Sequence, residues 1–91
     1  MDLQNLRLQI NKIDDEMIRL FEQRMDVSAE IARYKRQHNI PAYDPVREQE
    51  ILGNISRKVG EGRESSITAL YSLLFELSRS EQEKILRSEV V

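Results

Sequence analysis

"LQNLRLQINKIDDEMIRLFEQRMDVSAEIARYKRQHNIP", residues 3–41, decides the fold. Stepping by threes and fours from Leu3 meets Leu6, Ile10, Ile13, Met17 and Leu20, then Arg24, then Val27, Ile31 and Tyr34. That period is one face of an α-helix. Asp2 stands where an N-cap belongs, and no glycine or proline interrupts the pattern before Pro41. The spacing therefore predicts a single helix of about 36 residues, roughly 50 Å long. A compact chain of 91 residues has a radius of gyration of ~12 Å and spans only ~30 Å. A helix that long cannot be covered by its own chain, so the expectation is a homodimer in which two such helices run against each other.

Composition agrees with an all-α domain. Charged residues make up 33%, aromatics 5%, and there are only three glycines and two prolines, a balance that disfavours both a β-sandwich and disorder. One domain spanning residues 1–91 is expected, with little core of its own to spare. The absence of cysteine removes disulfides, a thiol nucleophile and a Cys-based zinc site, and one histidine, His38, leaves no His-rich metal site. A net charge of −2 without a basic run argues against nucleic acid as a partner. No apolar stretch approaches the ~18 residues of a membrane span, and MDLQNLRLQI lacks the pattern of a signal peptide, so a cytoplasmic protein is expected.

Two shorter helices follow. In "YDPVREQEIL", residues 43–52, Asp44 is placed to cap a helix and Pro45 to occupy its first position, where a missing N–H costs nothing. Its stripe reads Leu52, Ile55 and Val59 with Ile51 beside it, Gly53 weakens it, and "VGEGRESS" with Gly60 and Gly62 ends it. A cap at Ser65 or Ser66 is expected to open the third helix, whose stripe is Ile67, Leu70 and Leu74, with Ile85 and Leu86 near its end.

Each helix carries polar residues where its pattern asks for apolar ones. In the first helix it is Arg24, with Lys35 eleven residues on, about 20° round the axis and about 16 Å along it. In the second, Val59, Ile55 and Leu52 lead back to Glu48 and Asp44; in the third, Leu70 and Leu74 lead on to Ser78 and Gln82. Taken singly these are a register-setting arginine, a cap, a dipole partner and a solvated flank, with Arg7, Lys35 and Arg47 as surface charges. Together they describe a helical core that admits polar groups from three sides and must pair them, since an unpaired buried charge costs several kcal/mol. Cations are in excess: Arg7, Arg24, Lys35 and Arg47 against Asp44 and Glu48. That points to a pocket for a small molecule with two negative groups, gripped by the planar fork of arginine. With no Gly-rich phosphate loop, no nucleotide fingerprint and no nucleophile paired to a base, an enzyme built this way acts by positioning and electrostatics.

These residues resemble, over essentially the whole chain, the all-α (AroQ-type) chorismate mutase family. The family's pattern is an early arginine in the first helix, an arginine and lysine eleven apart later in it, Asp-x-x-Arg-Glu opening the second, and Ser-x-x-x-Gln in the third. Here these are Arg7, Arg24, Lys35, then "DPVRE" with Asp44, Arg47 and Glu48, then Ser78 and Gln82. The resemblance implies a cofactor-free, metal-free Claisen rearrangement of chorismate, a dicarboxylate, to prephenate in aromatic amino-acid biosynthesis by an intertwined homodimer. It also implies roles. Arg24 and Arg7 hold the two carboxylates, with Arg7 supplied by the other subunit; Lys35 and Gln82 donate to the ether oxygen. Glu48 and the Asp44 backbone take the ring hydroxyl, while Ser78 and Arg47 complete the shell around a carboxylate.

Two readings compete. An isochorismate pyruvate lyase uses a similar scaffold and cationic site, but its pattern lacks the acid found here at Glu48. A helical dimerisation module, or a regulatory domain of a shikimate-pathway enzyme, would keep the polar seam for register and have no turnover to lose.

Overall fold

The computed structural model describes residues 2–88. It consists of three helices: α1 Leu3–Gln37, α2 Pro45–Ser56 and α3 Glu64–Ser88. Asp2 caps α1 as expected, its carboxylate accepting the Asn5 N–H at 2.8 Å. The helix ends at Gln37, four residues short of Pro41. Asn39 supplies the stop by entering the left-handed region at φ 56, which asparagine tolerates better than most residues. Behind it, the Asn39 N–H reaches the Arg36 carbonyl at 3.4 Å and the Ile40 N–H reaches that of Lys35 at 2.8 Å. This paired closure turns the chain back beneath the last turn of α1 and sets the entry to α2.

Asp44 caps α2 through the Arg47 N–H at 3.1 Å, with Pro45 at the first position. The helix is shorter than its stripe: it stops at Ser56, so Val59 lies in the following turn and not on the helix. Glycine is needed there only at Gly62, whose φ is +87. The opening of α3 also departs from expectation. Neither Ser65 nor Ser66 caps it; the helix begins at Glu64, the Arg63 carbonyl accepts the Ile67 N–H at 3.0 Å, and the Glu64 carboxylate turns back to the Gly62 N–H at 3.0 Å. A glutamate in the first turn favours the helix dipole, while its carboxylate fixes the turn before the helix through Gly62.

α3 packs against both other helices. The pairs Arg24–Ser78 and Lys35–Gln82 advance together, so α1 and α3 run in the same sense where they meet. The molecule measures 57 × 26 × 14 Å with a radius of gyration of 16.6 Å. Fourteen ångströms is little more than one helix thickness, so the helices form a single layer and cannot enclose a core. Only Ala32, Ala42, Phe75 and Ile85 are buried apolar residues among those described. In the first half of the α1 seam Leu3, Ile10, Ile13, Met17 and Leu20 are more than half exposed, and Leu6 is 41% exposed.

Candidate active site

The later half of α1, the start of α2 and the middle of α3 surround a cavity of about 500 Å³. That volume suits a small organic molecule. Seven of the eight residues singled out by sequence line it: Arg24, Lys35, Asp44, Arg47, Glu48, Ser78 and Gln82. Arg7 does not. It sits on the exposed first turns of α1, about 42 Å from Lys35 along an unbroken helix.

Small residues let the helices approach here. Ser28 and Ala32 are buried at 4% and 0% exposure, four residues apart on the face of α1 turned toward α3. Across from them, Ser78 and Gln82 are also buried, so the apparent solvated flank of α3 is its inner face. The Ser28 and Ser78 hydroxyls lie 3.0 Å apart, and the Gln82 Nε2 donates to Ser28 Oγ at 3.0 Å. Gln82 Oε1 in turn accepts from Lys35 Nζ at 3.0 Å, and the same ammonium donates to the Ala42 carbonyl at 2.8 Å. No buried side-chain nitrogen or oxygen among the described residues lacks a hydrogen-bond partner. The network is closed, and a closed buried network fixes its members in place.

Its donors are not exhausted. An ammonium carries three N–H groups and an amide two; Lys35 uses two within the protein and Gln82 one. Arg24 donates one bond, from Nη1 to Ser78 Oγ at 3.2 Å, and its guanidinium lies 5.8 and 5.9 Å from the ring centres of Tyr71 and Phe75. Among the described residues neither Arg24 nor Lys35 has a carboxylate partner. Arg47 has one, Glu50 at 3.4 Å, but that pair is well exposed and weak.

Glu48 has a partner the sequence did not announce. Nη1 of Arg79 lies 2.6 Å from both of its carboxylate oxygens, and the guanidinium stands 5.1 Å from the centre of the Tyr43 ring. The hydrogen bond to Glu48 raises the Arg79 pKa above its already high ordinary value. The Asp44 side chain spends itself on the cap of α2. Counting Arg24, Lys35, Arg47 and Arg79 against Asp44 and Glu48, the lining carries two more positive than negative charges, the complement of a dianion. Two contributors escaped the sequence reading, Ser28 and Arg79. The first left a trace in the 4-4-3 spacing of Arg24, Ser28, Ala32 and Lys35, with small residues between two cations; for the second no signal is visible, since its partner is 31 residues away.

The cavity aside, among the described residues no helix is long and apolar enough to cross a membrane, and no group of three His, Cys, Asp or Glu side chains is placed to hold a metal ion.

Known proteins resemble this chain in fold and in sequence. A crystal structure described as chorismate mutase from Helicobacter pylori in complex with prephenate is 34% identical, with a TM-score of 0.86 over 98% of this chain and 97% of that one. The T-protein of Haemophilus influenzae is 38% identical over 50 residues, 55% of this chain. The chain spans only 13% of that relative's length. A 4-amino-4-deoxychorismate mutase from Streptomyces venezuelae is 29% identical over 75 residues, covering 80% of this chain and 73% of its own length. The family model for chorismate mutase type II matches residues 6–83. That match runs from before Arg7 to beyond Gln82, through all three helices and every residue of the cavity, and the chain belongs to the chorismate mutase type II family.

Proposed function

We propose that this chain is an isomerase that converts chorismate to prephenate, as one helical domain of residues 1–91 acting in a cytoplasmic homodimer with two equivalent sites. The reading is carried by the pairing state of the cations: Arg24 and Lys35 face one cavity with donors to spare and, among the described residues, no carboxylate to satisfy them.

In the rearrangement the ether C–O bond of the enolpyruvyl group breaks as a new C–C bond forms at the ring. No proton moves and no cofactor is consumed. Catalysis then consists of folding the flexible arm over the ring and stabilising the charge that grows on the ether oxygen. Arg24 holds one carboxylate, with Ser78 and Arg47 beside it. The third N–H of Lys35 and the second N–H of Gln82, left over after the bonds within the protein, are the donors for the ether oxygen. Donors aimed at a charge that develops only in the transition state raise kcat, each by a few kcal/mol of barrier at most. Glutamine is suited to this because its amide donates at every physiological pH. Glu48, with the Asp44 backbone, accepts the ring hydroxyl.

Arg7 of the same chain is too distant to take the second carboxylate, so that contact falls to Arg7 of a second copy. The bare first half of α1 is where that copy docks: a row of large apolar side chains on a molecule one helix thick leaves a core that only another layer completes. The lyase reading is disfavoured by Glu48, and a purely structural module does not account for spare donors facing a cavity.

The test is to follow chorismate by ultraviolet absorbance and to identify the product by NMR, with wild type, Arg24→Ala and Gln82→Ala. The expected result is prephenate from wild type and a loss of kcat/KM of at least ~10²-fold in each variant. Binding without turnover would reject the enzyme reading, and pyruvate released from isochorismate would replace it with the lyase.

A further inference from the structure

Arg79 stands outside the mechanism above, yet it makes two 2.6 Å contacts with a carboxylate assigned to the substrate. We propose that Arg79 is a specificity-determining residue: by neutralising Glu48 it tunes the site to a ring bearing a neutral hydroxyl and against one bearing a ring ammonium. The proposal rests on the mutase reading and sharpens its substrate class.

Three observations carry it. First, the pair is set inside the site and half-sheltered, with side-chain exposures of 31% for Arg79 and 19% for Glu48, so solvent screens it only in part. Second, one nitrogen, Nη1, straddles both oxygens. A carboxylate offers about four lone-pair positions, so acceptor capacity remains on each oxygen after Arg79 is served. A hydroxyl needs only that: a lone pair to donate to, with no demand on net charge. Third, Arg79 is held where it is. The Tyr43 ring lies 5.1 Å from the guanidinium, and Glu76, one turn back on α3, adds its negative field on the same side.

A primary amine on the ring is protonated near neutral pH, as alkylamines are. Beside a lone carboxylate that ammonium would gain a counter-ion. Beside Glu48 as it stands it meets a carboxylate already cancelled and a guanidinium in reach, so the attraction is offset by repulsion. Discrimination by a placed like charge is a general route to specificity. A merely structural salt bridge between α2 and α3 has a different signature: its loss would lower activity on both substrates alike.

The experiment measures kcat/KM of the full chain for chorismate and for 4-amino-4-deoxychorismate, in wild type, Arg79→Leu and Arg79→Lys, with circular dichroism confirming the fold of each. Wild type is expected to favour chorismate by at least ~10-fold, Arg79→Leu to shift that ratio toward the amine by a further ~10-fold or more, and Arg79→Lys to stay within about threefold of wild type. The proposal is overturned if Arg79→Leu lowers both rates by one factor, or if wild type uses the two equally. Wild type that converts neither compound rejects the mutase reading and this one with it; conversion of chorismate with an unmoved ratio rejects this one alone.

Discussion

The chemistry rests on how few atoms separate a structural residue from a functional one. Ser28 shows this. Its hydroxyl lines the cavity, meets both Ser78 Oγ and Gln82 Nε2 at 3.0 Å, and so aims the amide that accepts from Lys35. Ser28→Ala should leave the Gln82 N–H facing an apolar methyl. The expected outcome is a stability loss of about 1–3 kcal/mol by chemical denaturation, the usual cost of an orphaned buried donor. If Gln82 donates chiefly in the transition state, as proposed, kcat should fall by roughly 10-fold with KM moving less. Legibility at this scale was uneven. Arg24 betrayed itself by breaking an apolar period, and Gln82 by continuing a stripe with a polar residue. Ser28 and Arg79 did not, because a serine between small neighbours and an arginine among charges are ordinary on any helix; their meaning comes from partners 50 and 31 residues away.

Helices were readable where a terminus has a local chemical cause. Asp2, Asp44 and Pro45 sit where their side chains and ring geometry place them in isolation. Ends were less so. Asn39 closes α1 before Pro41 because a left-handed residue with two returning N–H bonds ends a helix more sharply than an approaching proline. Glu64 forestalls Ser65 and Ser66 by folding back on Gly62. Gly53 is the weak point of α2, a glycine within a twelve-residue helix. A Cβ added there would meet only Arg57 Nη1, at 3.9 Å, the movable end of a flexible side chain. Gly53→Ala should therefore stabilise the protein by ~0.5–1 kcal/mol through lower unfolded-state entropy and better helix propensity. An increase in the denaturant midpoint at unchanged slope is the result to look for; a decrease would mean that α2 must flex to hold Glu48 in its place.

At the scale of the whole molecule, the length of α1 was decisive: 35 residues of helix cannot be folded into a compact monomer of this size. What pattern alone did not disclose is that the chain forms one thin layer, with Ile13 at 53% exposure and Met17 at 52%. If a second copy covers that face, folding and association are one process, and the thermal midpoint should rise with protein concentration. Ile13→Lys should reduce sedimentation to that of a monomer and cost most of the helical signal. A midpoint independent of concentration, with wild type sedimenting as a monomer, would remove the dimer. The most direct test of a site built from two copies is to mix two inactive variants, Arg7→Ala and Lys35→Ala, and let subunits exchange. A mixed dimer then holds one site with both residues intact and one lacking both, so an equal mixture should recover about a quarter of wild-type turnover, the statistical share of intact sites in a twofold assembly. Activity no greater than the two variants show separately would contradict the shared site.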